Sequence, residues 1–155
     1  FTGAVSLNTS GTSGNATLTS NNTMTLSTST VAGDLAVTVG GDNSLNVTGA
    51  ESVGGSISLL ADDDIIFTAS GDLTTTTGSI TVTADNDSDN NGAGGTLAMV
   101  DGTVFDAGSG TLALSADEDI TLGLLETTSS SDTAVTPGFD QRRGVRWRHE
   151  RISRY

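Results

Sequence analysis

The chain has 155 residues, no cysteine, a single histidine and a formal net charge of −13. Without cysteine there are no disulfides, thiolate metal centres or thiol nucleophiles. All six basic residues are arginines (Arg142, Arg143, Arg146, Arg148, Arg151 and Arg154), and His149 lies among them. Residues 1–141 therefore carry every acidic residue except Glu150 and no base. That balance repels nucleic acid and anionic lipid and leaves no imidazole for acid–base work near neutral pH.

Short apolar–polar–apolar units recur along the chain: Val5–Leu7, Ala16–Leu18, Met24–Leu26, Leu35–Val37, Leu45–Val47, Ile57–Leu59, Ile65–Phe67, Ile80–Val82, Leu97–Met99, Leu112–Leu114 and Ile120–Leu122. Alternation with period two, bounded by Gly, Asn or Asp, predicts half-buried β-strands. Lys, Gln and Glu are scarce while Thr, Val and Gly abound, so no helix is predicted before Pro137. No apolar run approaches the length of a membrane span, and no membrane insertion is expected.

A ten-residue pattern orders these units. It reads Gly, Ser or Thr, Ile or Leu, any, Leu or Val, any, Ala, Asp, any, Asp, and it starts at Gly55, Gly78 and Gly110. A looser copy begins at Gly33. The starts lie 22, 23 and 32 residues apart, and a period in the twenties marks a solenoid. Coils of about 22 residues, each holding two or three strands, stack at roughly 4.8 Å into parallel sheets. The expected fold is all-β, a right-handed parallel β-helix of about five coils. An antiparallel β-sandwich is the alternative.

The longer third step is expected to be a loop. Ser88-Asp89-Asn90-Asn91-Gly92-Ala93-Gly94-Gly95 is polar and glycine-rich, and solenoids accept such insertions on one face. The core strand is expected to resume at Thr96-Leu97-Ala98-Met99-Val100. The pattern fails at Thr127. The domain reading is a β-solenoid over 1–126, a Ser/Thr-rich linker over 127–141 and an Arg-rich tail over 142–155. Three readings of the tail stand: a basic arm for anionic partners, a terminus without a role, or an out-of-frame end. The chain opens on Phe1 with no basic-then-apolar leader, and it is expected to be a piece of a longer repeat protein.

One stretch has cation chemistry. In Asp85-Asn86-Asp87-Ser88-Asp89, carboxylates at alternate positions can aim three oxygens at one hard cation such as calcium. The match to a calcium loop is partial, because Asn90 stands where glycine is needed and Thr96 replaces the bidentate glutamate. Asp62-Asp63-Asp64 and Asp117-Glu118-Asp119 end equivalent strands, where Asp also serves as a turn residue. A Ser–His–Asp site lacks its histidine in the body. Paired aspartates without Lys, Arg or aromatics are a poor glycosidase site. No enzyme activity and no cofactor are expected, calcium apart. The units Thr17-Leu18-Thr19, Thr23-Met24-Thr25 and Thr81-Val82-Thr83 are too irregularly spaced to imply a long Thr array, and strand propensity explains them.

Gly78-Ser79-Ile80-Thr81-Val82-Thr83-Ala84-Asp85 and Gly33-Asp34-Leu35-Ala36-Val37-Thr38-Val39-Gly40-Gly41-Asp42 resemble the repeat region of filamentous-haemagglutinin-like bacterial surface proteins. The resemblance covers roughly residues 3–126. It implies a β-helical shaft, secretion or display outside the outer membrane, and a role in adhesion or biofilm. Its implied partners are glycans or proteins on host or neighbouring cells. The alternatives are a fragment of a β-helical carbohydrate-active protein and a calcium-stabilised binding module.

Overall fold

A computed structural model describes residues 3–87, 94–127 and 134–137. Its sixteen strands form three sheets. The first sheet holds β1 (Ala16–Ser20), β4 (Leu35–Val39), β7 (Ile57–Ala61), β10 (Ile80–Ala84), β13 (Leu112–Ala116) and β16 (Ala134–Pro137) in that order. The second holds β2 (Met24–Leu26), β5 (Leu45–Val47), β8 (Ile65–Phe67), β11 (Leu97–Met99) and β14 (Ile120–Thr121). The third holds β3 (Ser29–Val31), β6 (Glu51–Val53), β9 (Leu73–Thr75), β12 (Val104–Asp106) and β15 (Leu124–Glu126).

Every strand pairing among the described residues is parallel, and each joins one turn of chain to the next. The fold is thus a β-solenoid of about five turns of about 22 residues, and the antiparallel sandwich is excluded. No helix occurs among the described residues.

The alternation in sequence is the cause of the stack. Leu35, Val37 and Val39 are buried, and in register they lie beside Ile57, Leu59 and Ala61. Those in turn lie beside Ile80, Val82 and Ala84. Each inward side chain meets its counterpart in the next turn, so the core consists of columns running along the rod. β-Branched and γ-branched residues suit such pleated columns. The side chains between them face water, as Thr and Ser require. Met24, Leu45, Ile65 and Leu97 build the corresponding column of the second sheet, each no more than 1% exposed.

The extra residues of the long third step fall between β10 and β11. The stack resumes at β11, with Leu97 beside Ile65 and Met99 beside Phe67. Residues 88–93 lie outside the described residues.

Three expectations of detail change. Val5–Leu7 is not a strand, although Val5 and Asn8 make single parallel bridges to Leu26 and Thr30. β14 stops at Thr121, and Leu122 is 43% exposed. The whole third sheet was not expected from alternation, because its inward positions include Ser29, Glu51 and Thr75. Apart from these three, β16 pairs in parallel with β13 within residues 127–141.

Candidate functional site

The acidic residues concentrate where strands begin and end. Ala61 pairs with Ala84, and Thr83 with Ser115, so Asp62, Asp85 and Asp117 follow at equivalent corners of successive turns. Several of these carboxylates are hydrogen-bonded to an adjacent turn. Asp62 Oδ2 accepts from the Gly41 N–H at 2.8 Å, Asp63 Oδ2 from the Ser44 hydroxyl at 2.7 Å, and Asp64 Oδ1 from the Thr96 N–H at 2.9 Å. At the other corners Asp34 Oδ1 accepts from the Ser56 N–H and Asp72 Oδ1 from the Val104 N–H, both at 2.8 Å. Backbone donors at strand starts need such partners, and a charged acceptor makes the bond stronger.

A polar ladder precedes the first sheet. The Asp34 N–H donates to Asn15 Oδ1 at 2.8 Å, the Ser79 N–H to Ser56 Oγ at 3.2 Å, and the Thr111 hydroxyl to Ser79 Oγ at 2.9 Å. With the Asp34–Ser56 bond, it links five turns. The chemistry of these side chains is spent on joining turns.

Of the cation trio, Asp85 follows β10 directly, half-buried, in the left-handed region at φ 56°. Its N–H approaches the Asp63 carbonyl at 3.3 Å, while the Asn86 N–H donates to the Ala61 carbonyl at 2.9 Å. Asp42 takes the same conformation at φ 53° two turns earlier. Asp tolerates this region because its short side chain can hydrogen-bond locally. Asp87 is exposed, and Asp89 lies outside the described residues. Among the described residues no group of three or more His, Cys, Asp or Glu is arranged to hold a metal ion.

The threonine pairs do share columns. Thr17 lies beside Ala36 and Thr19 beside Thr38, while Thr81 lies between Ser58 and Ala113, and Thr83 between Leu60 and Ser115. The outward positions of the first sheet are therefore uncharged, but Thr is interrupted by Ala, Ser and Leu. Thr25 belongs to a different face, beside Asn46 on the second sheet.

Glu51 was not singled out in the sequence. It occupies an inward position of β6, beside Ser29 on one side and Leu73 on the other, and is 1% exposed. Neither carboxyl oxygen has a hydrogen-bond partner. The nearby Ser29 hydroxyl donates to the Ser27 carbonyl and accepts from the Leu7 N–H, both at 3.1 Å. Burial pushes the Glu51 carboxyl up to about 7, against a smaller downward pull from the Ser29 hydroxyl. The one available signal was its place in Glu51-Ser52-Val53, a polar–polar–apolar unit in step with Ser29-Thr30-Val31.

At the far end of the stack a shallow depression is lined by Met99, Thr103, Val104, Leu122 and Leu124. Leu122 and Leu124 are 43% and 51% exposed there.

Three parallel sheets wound from successive turns, with polar side chains joining the turns, define a β-solenoid repeat protein. No family model matches the chain, and no curated protein or solved structure matches it either.

Proposed function

We propose that this chain is a shaft segment of a large, secreted or surface-exposed repetitive bacterial protein that serves adhesion or biofilm formation. The observation that carries the reading is the uninterrupted register of the columns. Leu35, Ile57, Ile80 and Leu112 follow one another along the first sheet in successive turns. A rod assembled this way gains length by adding turns, each contacting only its neighbours. Its partners are glycans or proteins of host or neighbouring cells, together with the remaining turns of a longer repeat protein. The exposed Leu122 and Leu124 suit the addition of a turn.

A non-enzymatic role accords with the chemistry. Phe67 and Phe105 are both fully buried, so among the described residues no aromatic ring is offered to a sugar. Asp34, Asp62, Asp64 and Asp72 at the corners hold backbone amides. Such a shaft acts through length and multivalency, which raise avidity without a deep pocket.

The test has two parts. Pulled from its ends in a single-molecule experiment, the folded chain should resist as a stack and give way in steps of whole turns. Displayed at high density on beads, it should be retained on cell monolayers or glycan arrays more than a scrambled control. Retention equal to the control at every density would remove adhesion from the proposal.

A further inference from the structure

Glu51 is the one acidic side chain among the described residues that is fully buried. Its carboxyl lies between Ser29 and Leu73, one strand in from the β3 end of the third sheet, with both oxygens unbonded. An ionised carboxylate cannot be held there without large cost, because no opposite charge, and nothing more than the weak pull of a Ser29 hydroxyl already donated to the Ser27 carbonyl, replaces its water. A protonated carboxyl costs far less. The fold therefore distinguishes between the two states of this single group.

Nothing titratable faces it from the described neighbours. β3 offers Ser29, Thr30 and Val31, and β9 offers Leu73, Thr74 and Thr75. The second sheet turns Leu45, Val47, Ile65 and Phe67 inward, and the first turns Leu35, Val37, Val39, Ile57, Leu59 and Ala61 inward. Asp72 precedes β9, but its Oδ1 is occupied by the Val104 N–H. Asp34 precedes β4, exposed, with its Oδ1 on the Ser56 N–H.

We propose that Glu51 is a pH-operated latch: protonated, it closes the third sheet around β6, and ionised, it opens that sheet locally. The third sheet is the natural place to yield. Ser29 and Thr75 also point inward there, so it buries less apolar surface than the other two. Local opening takes place where buried apolar contacts are fewest.

The direction follows from linkage. Burial raises the carboxyl from its ordinary 4.5 to about 7 in the fold, so between these values the folded state binds more protons. Stability from this group is complete below pH 4.5, falls as pH rises to about 7, and is level above. The folding equilibrium should weaken about 300-fold across that window on account of Glu51.

The experiment compares the wild-type chain with Glu51→Gln at fixed ionic strength, from pH 4 to pH 9. Denaturant unfolding gives the global equilibrium, and amide exchange, corrected for its intrinsic pH dependence, gives local opening. The latch predicts that the wild type loses stability relative to Glu51→Gln as pH rises through the window. It also predicts that amides of β3, β6 and β9 lose protection before those of β4 and β7. Parallel pH profiles in the two proteins would overturn the latch. A loss of protection spread evenly over all three sheets would overturn its placement in the third. Should Glu51→Gln not fold, Glu51→Leu serves the same comparison, since it removes the charge and fills the same space.

Discussion

Phe67 and Phe105 meet edge to face in the core, with ring centroids 4.7 Å apart and planes at 71°. The rings come from different sheets, β8 and β12, and thus tie the second sheet to the third. Both are fully buried. Phe105 also stands in one column with Leu73 and Leu125, so the aromatic pair anchors the half of the third sheet that lies beyond Glu51.

Removing either ring should be costly. Phe67→Ala and Phe105→Ala are each expected to lower stability by about 3–5 kcal/mol, through lost burial and the cavity left behind. A double-mutant cycle isolates the ring–ring contact, expected at about 0.5–1.5 kcal/mol. Denaturant titration of the four proteins measures it, and additive losses would dismiss the pair as a coupled unit.

The glycines that open the repeat are predicted to be irreplaceable for steric reasons. A Cβ on Gly78 would collide with the Gly55 carbonyl, and one on Gly110 with the Gly78 carbonyl. The obstacle in each case is backbone, which cannot step aside without separating the turns. Gly78→Ala should destabilise by about 1–3 kcal/mol or more. Gly3, around which nothing lies within 4 Å, is the control: Gly3→Ala should stay within about 0.5 kcal/mol. Thermal melts of the two variants decide the matter.

The corner carboxylates make a different kind of prediction. Asp64→Ala strips the acceptor from the Thr96 N–H and should cost about 1–2 kcal/mol. Asp64→Asn keeps an oxygen in place and should cost less. If the two variants melt together, the bond from the Thr96 N–H to Asp64 does not hold β11 in register.

Salt and calcium should act differently on this chain. Raising sodium chloride screens the mutual repulsion of a body without basic residues, and the melting midpoint should climb by a few degrees. Calcium, added at matched ionic strength, is expected to leave the midpoint unchanged. Occupancy of a site at a hundred times its dissociation constant would instead add about 2.7 kcal/mol. A rise specific to calcium and lost in Asp85→Asn would establish the Asp85, Asp87 and Asp89 site.

Taken by itself, the sequence determined the repeat, the all-β class, the parallel stacking and the position of the insertion. These rest on local, additive signals. Ile, Leu and Val at alternate positions can bury only one face of a strand, and Gly and Asp at the same step mark the same corner of every turn. The two sheets whose inward positions are apolar, with Leu35, Ile57 and Ile80 in one and Leu45, Ile65 and Leu97 in the other, were readable for that reason.

Only the tertiary structure decided the third sheet and what it buries. Ser29-Thr30-Val31 and Glu51-Ser52-Val53 show no apolar alternation, and their direction is imposed by the strands before and after them in the same turn. Once Leu45–Val47 and Ile57–Ala61 are placed, the chain between them has to close the coil, and Glu51 is carried inward with it. Chain geometry overrides the polarity of that single residue. The consequence is a carboxyl held without a partner, which no pattern of neighbours along the chain could have announced.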